Sequence, residues 1–306
     1  MFSYLIRRIF IAVPLLLGVV FIVTASFDLI PGDPAALILG EFASESAVAE
    51  LREELGLDRP LLVRYVDTVV NVVQGDLGRS LSDRRPVATI LGETFPLTAQ
   101  LAGTAIALVL IIGIPLGLAA ATRPGSTVDN VIRVVSLAGL SMPVFWTGLV
   151  FMVIFSVNLG WTPVSGVGTW QHLILPSVTL ALPSIAVIAR MTRSTVLEVL
   201  REDFIRTARA KGISERSLLW KHMLRNAMIP IITVLGLQLG QMLGGAVLTE
   251  TVFAWPGVGR LTVFAIFNRD YPLMQGVVMV LAMVYVGVNL LVDLSYGLFD
   301  PRVRYA

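Results

Sequence analysis

Apolar residues gather along this chain in six long runs, separated by two polar stretches and several short turns. The runs cover residues 9–30, 97–121, 132–157, 173–189, 229–249 and 273–294. A helix needs about 20 mostly apolar residues to cross the hydrocarbon of a bilayer, which all but the fourth supply outright. The fourth run is short and holds Pro176 and Pro183. Its helix is expected to continue past Arg190, with its kinks satisfied by neighbouring helices. Arg7 and Arg8 precede the first run in the manner of a signal peptide, but that run exceeds the roughly 7–15 residues of a signal core. It reads as a retained first helix. The expected fold is an all-α membrane protein with six transmembrane helices.

Both polar stretches carry helical patterns of their own. In residues 31–96, Ser44 can cap a short helix reaching Leu55, with Gly56 as its stop. Asp58 and Pro60 then open a second helix, in which Leu61, Leu62, Tyr65, Val66, Val69, Val70 and Val73 recur at helical spacing, and Gln74-Gly75-Asp76 closes it. That stripe is expected to pack on the outer ends of membrane helices; the alternative is a docking platform for an external protein. The second stretch, 190–228, holds nine basic residues. By default such a loop contacts anionic lipid. Here Asp203 is a plausible cap, Phe204, Ile205, Ala208 and Ile213 are the apolar positions, and Gly212 breaks or bends the helix. An apolar side ringed by arginines suits a groove on a partner. The chain thus divides into residues 1–30, an extracytoplasmic insertion over 31–96, and a core membrane domain over 97–306.

Charge turns this pattern into a topology. With the N-terminus inside, the inner segments hold 15 of the 23 basic residues, and six of the other eight lie in the long first loop. Long loops weigh little in the positive-inside bias, so both termini are expected to be cytoplasmic. Composition agrees with a membrane class: only 14% of residues are charged, against roughly 25% in soluble domains.

Several chemistries are excluded. There is no cysteine, hence no disulfide and no thiolate ligand or nucleophile. His172 and His222 lie far apart, which argues against a zinc cluster, and no metal site is expected. Neither lysine, Lys211 or Lys221, follows a glycine, so there is no Walker A loop. Within the spans the ionisable residues are Asp28 and Asp293, both near helix ends. Ion-coupled carriers place such groups near the midplane, which leaves a secondary carrier as the disfavoured alternative. No catalytic residue and no nucleic-acid partner are expected. In the fifth run Gly236, Gly240 and Gly244, with Gly245 beside them, form a stripe that permits close helix approach. Gln238 and Gln241 share the segment and would be costly facing lipid. The stripe serves either internal packing or a seam or pathway shared with a second membrane subunit.

The run from Asp203 through Phe204, Ile205, Arg206, Thr207, Ala208, Arg209, Ala210 and Lys211 to Gly212, followed by residues 221–230, resembles the cytoplasmic signature of binding-protein-dependent permeases. Arg206-Thr207-Ala208 stands where the wider class has Glu-Ala-Ala, so Ala208 and Gly212 are the matching positions, as in the peptide branch. Leu29-Ile30-Pro31-Gly32-Asp33-Pro34, Gln74-Gly75-Asp76-Leu77-Gly78, Glu250-Thr251-Val252-Phe253, Trp255-Pro256-Gly257-Val258-Gly259-Arg260 and Asp300-Pro301-Arg302-Val303-Arg304 support the same branch. The chain is identified by this resemblance as similar to permeases of the dipeptide/oligopeptide/nickel ABC importer family, of the type I importer kind.

The resemblance implies a passive conduit for di- or oligopeptides or glutathione across the bacterial inner membrane, with a nickel-chelate importer as the alternative. It implies no cofactor in this chain, since ATP and Mg belong to partner subunits. The implied partners are a second homologous permease, two ATP-binding ABC subunits, an extracytoplasmic substrate-binding protein and membrane lipids. Residues 203–212 become a coupling helix, with Phe204, Ile205 and Ala208 as apolar contacts, Arg206 and Arg209 as polar rim and Gly212 as bend. Glu250, Phe253, Trp255, Pro256 and Gly257 become candidates for binding-protein docking.

Overall fold

A computed structural model describes residues 2–29, 33–40 and 43–299. The motif at 300–304, residues 30–32 and the side chain of Asp293 lie outside the described residues. Among the described residues there is no strand, and one isolated bridge pairs Arg79 with Pro86. The chain opens with α1 (Phe2–Ala25), α2 (Pro34–Leu39), α3 (Glu45–Glu54) and α4 (Leu61–Val73). Then α5 (Val87–Leu108) continues through a π-helical stretch into α6 (Ile114–Thr122), and α7 (Thr127–Ser141) precedes α8 (Val144–Phe151). Next come α9 (Gln171–Val199), α10 (Asp203–Ala210) and α11 (Glu215–Ser217). The last are α12 (Leu224–Val252), α13 (Val258–Phe267) and α14 (Tyr271–Phe299).

Among the described residues, four helical stretches are long and apolar enough to cross a membrane: Val87–Thr122, Gln171–Val199, Leu218–Val252 and Tyr271–Val292. Phe10–Ala25 is a shorter apolar helix. α9 runs past Arg190 with both prolines inside it, as expected. The third run is different. α7 and the helix Val144–Asn158 meet at 105°, where the pattern predicts one membrane-spanning segment over 132–157. Pro143 explains the break: it pushes Met142 into an extended conformation, φ −87° and ψ 128°. The second run also begins earlier than expected, at Val87, because Pro96 sits inside the helix instead of at its start. α13 is an addition that the six runs do not predict.

The chain forms two compact units. One contains residues 96–260 and 288–299, with α9 at its centre and α6, α7, α8 and α12 packed on it. Its core includes Leu101, Leu118, Leu180, Ile188, Met242 and Trp255. α6 meets α9 so closely that a methyl group on Gly117 would lie 2.6 Å from Thr192 Cβ.

The other unit contains residues 2–95 and 261–287. Ser44 caps α3 by accepting the Ala47 N–H at 3.2 Å. The α4 stripe divides: Tyr65 and Val69 pack against Val20, Val23 and Met279, whereas Leu62, Val66, Val70 and Val73 stay exposed. Arg64 is buried and pairs with Asp28 at 2.5 Å. Asp270 is also buried: it accepts from Ser80 Oγ at 2.5 Å, from the backbone N–H groups of Leu81 and Ser82 at 3.1 Å, and from Leu273 N–H at 3.2 Å. One carboxylate thereby caps α14 and pins the 80–82 turn.

Candidate functional site

The 203–212 segment folds as the short helix its pattern predicts, although Glu202 takes the N-cap position and Asp203 is the first helical residue. Gly212 follows the helix with φ +76°, a left-handed conformation that residues with a side chain adopt at a cost. The faces differ from the sequence expectation. Ile205 is fully buried and Ala208 nearly so, both in this subunit's own core with Val196, Leu218 and Met223. Their assignment as outward apolar contacts is therefore corrected: an eight-residue helix with Ile205 and Ala208 one turn apart puts both on one side, and that side is taken by the chain itself. The outward face carries Asp203, Phe204, Arg206, Arg209 and Lys211. Phe204 is 42% exposed, a large aromatic on an otherwise charged surface. Arg209 donates from Nε and Nη2 to Glu215 at 2.8 and 3.3 Å, locking α10 to α11. That hydrogen bond pushes the guanidinium pKa above its ordinary value.

Along α12 the glycine stripe splits between its two readings. A methyl group on Gly236 would lie 2.7 Å from Val292, so Gly236 serves internal packing. Gln238 is buried and accepts a hydrogen bond from Ser184 at 2.9 Å, tying α12 to α9. Gln241 and Gly244 are exposed and Gly240 half-buried, with exposed Leu237 and Leu248 along the same helix.

The candidate docking residues at the end of α12 and just beyond it are mostly turned inward. Glu250, Phe253, Trp255 and Gly257 are buried, and Pro256 is half-buried. Glu250 accepts from Thr98 Oγ1 at 2.7 Å and from the Arg260 N–H at 2.9 Å. Thr98 Oγ1 in turn accepts the Val258 N–H at 2.8 Å, and Trp255 Nε1 donates to the Leu97 carbonyl at 3.1 Å. The carboxylate thus folds the chain back over the end of α12. Gly257 and Gly259 make this possible: a Cβ on Gly257 would overlap the Glu250 carboxylate, and one on Gly259 would lie 2.6 Å from Val247 Cα. Glu250, Phe253, Trp255 and Gly257 are therefore not outward contacts in this structure, and each oxygen of the buried carboxylate is engaged within the chain.

Another buried carboxylate escapes a reading by apolar runs. Asp129, at the start of α7, is fully buried and accepts from Arg193 Nε at 2.6 Å, Arg193 Nη2 at 2.8 Å and the Gly125 N–H at 2.9 Å. Its signal lies in the helix-start pattern Ser126-x-x-Asp129: Ser126 caps α7, its Oγ accepting the Asp129 N–H at 3.3 Å. Both carboxylates fall just outside the apolar runs that frame the sequence reading.

The chain belongs to the binding-protein-dependent transport system inner membrane components: residues 113–305 match that family and residues 1–102 match its N-terminal region. It is 43% identical to the di/tripeptide transport system permease protein DppB of Pseudomonas aeruginosa, covering 100% of this chain and 99% of the relative. It is equally 43% identical to the glutathione transport system permease protein GsiC of Salmonella choleraesuis, over 100% of both chains. Among solved structures, the inward-facing MetNI methionine ABC transporter contains a chain of the same fold, with TM-score 0.59 and 19% identity over 69% of this chain and 96% of that one. The protein is accordingly a multi-pass membrane component of the bacterial inner membrane.

Proposed function

We propose that this chain is one of two permeases in an ATP-driven importer of small peptides, crossing the membrane six times with both termini in the cytoplasm. The observation that carries the substrate class is end-to-end similarity, at 43% identity, to permeases named for di/tripeptides and for glutathione. In this reading ATP is hydrolysed by two partner ATPases, and an extracytoplasmic binding protein delivers the peptide. The energy reaches the membrane helices through α10. Its outward face, centred on Phe204 with Arg206 and Arg209 at the rim, enters a groove on the ATPase. Its inward face transmits the movement, because Ile205 and Ala208 are packed into the same core as α9 and α12. The exposed positions along α12, Gln241 and Gly244, face the second permease.

The test is purification of the tagged chain from its native membrane in mild detergent, followed by reconstitution with whatever co-purifies. Co-purification of a second permease and Walker-motif ATPases, with ATP-dependent uptake of dialanine or glutathione, is the expected result. Uptake of a nickel chelate alone would overturn the peptide assignment; flux by the isolated chain, driven by an ion gradient, would overturn the importer itself. Within that system Phe204→Ala is expected to lower ATPase retention and uptake by about tenfold or more, the scale of losing one buried aromatic anchor at an interface. Its melting temperature should stay that of the wild type, since the ring is not part of the core. Unchanged uptake would remove Phe204 from the contact.

A further inference from the structure

The Asp129–Arg193 pair joins α9 to a helix that buries few side chains. The buried residues of α7 are Asp129, Ser136 and Gly139, none of them a large apolar side chain. Its Val131, Val134, Val135 and Leu137 are all exposed. α6 is different: it buries Ile114 and Leu118 and closes on α9 at Gly117. Arg193, for its part, belongs to the same piece of structure as α10. Backbone hydrogen bonds run on from the end of α9 into α10: Leu200 N–H donates to the Val196 carbonyl at 2.9 Å, and Glu202 N–H to that of Val199 at 3.1 Å. Ile205 N–H then donates to the Glu202 carbonyl at 3.1 Å. Val196, one turn beyond Arg193, shares a core with Ile205 and Ala208.

We infer that Asp129 and Arg193 are positioning residues for transport: their paired hydrogen bonds make α7 follow α9 when α10 is displaced. The role rests on the importer reading, in which α10 receives the movement of the ATPases. Arg193 Nε and Nη2 each hold one oxygen of Asp129, at 2.6 and 2.8 Å. Such a two-point bond fixes both distance and register between the helices, which an apolar contact does not. In lipid no hydrophobic force restores an apolar contact that has slipped. Stability alone is a weak reason for the pair, since apolar residues of similar volume in place of a buried ion pair are often as stable. Arg133 separates the two roles. It lies 3.6 Å from Asp129 on the same helix, so it offsets the carboxylate charge without tying α7 to α9. The Gly125 N–H, also outside α9, donates to the same carboxylate. Loss of Arg193 therefore leaves a buried carboxylate that still has partners, while the ion pair between the helices is gone.

The test is the number of dialanine molecules imported per ATP hydrolysed by the complete complex in liposomes, read beside its melting temperature. Arg193→Gln should keep hydrolysing ATP and melt close to the wild type. Its import per ATP should fall about tenfold, within the range by which residues along a coupling route alter coupling. Arg193→Lys, which restores the charge and one hydrogen bond, should recover part of the ratio. The double variant Asp129→Leu with Arg193→Met should melt no lower than the wild type and still be uncoupled, because apolar packing replaces the pair without its register. Arg133→Gln, which leaves the bond between helices in place, should keep the wild-type ratio. A wild-type ratio in Arg193→Gln and in the double variant would overturn the inference. So would a proportional fall of hydrolysis, import and melting temperature in both, which would mark the pair as a support of the fold alone. A wild-type complex without ATP-driven import is a separate outcome: it would overturn the importer reading, and this role with it.

Discussion

Replacing Glu250 with alanine is expected to abolish uptake and to lower the amount of assembled permease. The buried carboxylate holds the Thr98 hydroxyl and the Arg260 N–H, and the Thr98 hydroxyl holds the Val258 N–H. Removing it orphans buried donors, each costing about 1–3 kcal/mol, so a total on the order of 3–5 kcal/mol is at stake. That is a large part of the stability of an ordinary domain. Water has limited means of repair here, since Phe253, Trp255 and Val258 close the surroundings. Glu250→Gln keeps the volume and one acceptor but turns a donor towards a group that already donates, so an intermediate loss is expected. Thermal melting of the purified complex and reconstituted uptake read the two variants. If Glu250→Ala melts and transports as wild type does, the carboxylate is not the latch described. A binding-protein contact made by Glu250 would give a different signature, weaker delivery of peptide with unchanged melting.

The second large effect is expected at Gly117. Valine there must displace either the Ala189 carbonyl or Thr192, whose Cβ would lie 2.6 Å from the new Cβ. Neither can yield locally, because one is backbone of α9 and the other is a β-branched side chain that is completely buried. Overpacking of a tight core costs typically about 1–3 kcal/mol, and a backbone obstacle places this case at or above the upper end. Association of membrane helices depends on such close contact, with no hydrophobic force in lipid to compensate for its loss. Gly117→Val should therefore reach the membrane yet fail to give a monodisperse permease in detergent. Gly244→Val is the control: open space surrounds that position within the chain. Normal folding of Gly244→Val with lost subunit pairing would place the exposed stretch of α12 at the contact between permeases. A monodisperse, transport-competent Gly117→Val would show that α6 and α9 can separate without penalty.

Much of this architecture was legible in the chain. Apolar runs located the long helices because in lipid every backbone polar group must be satisfied within its own segment, which leaves a membrane crossing few alternatives. Local chemistry marked the short elements too: Ser44 caps α3, and Gly212 ends the α10 turn. The errors share a cause. Helical periodicity identified Phe204, Ile205 and Ala208 as apolar positions of α10, but an amphipathic pattern does not say which of two bodies receives the apolar side. The structure gives Ile205 and Ala208 to this subunit and leaves Phe204 outside. Likewise Glu250, Trp255 and Gly257 were conspicuous as a motif, and conspicuous residues invite a binding role. In the structure they are buried parts of one internal hydrogen-bonded turn. The pairing of Asp129 with Arg193 is not legible in the chain, because 64 residues separate the two and no local pattern operates over that distance.

What the chain alone determined is the helical class, the position of the long apolar helices, the family and the existence of α10, all of which follow from local periodicity, apolar length and contiguous motifs. The tertiary structure decided which face of α10 is free and which glycines are contacts. It also decided where the carboxylates Asp129, Glu250 and Asp270 find their partners. Those outcomes depend on pairs of residues far apart in sequence, and burial of a charged group is settled only when the partner that satisfies it arrives.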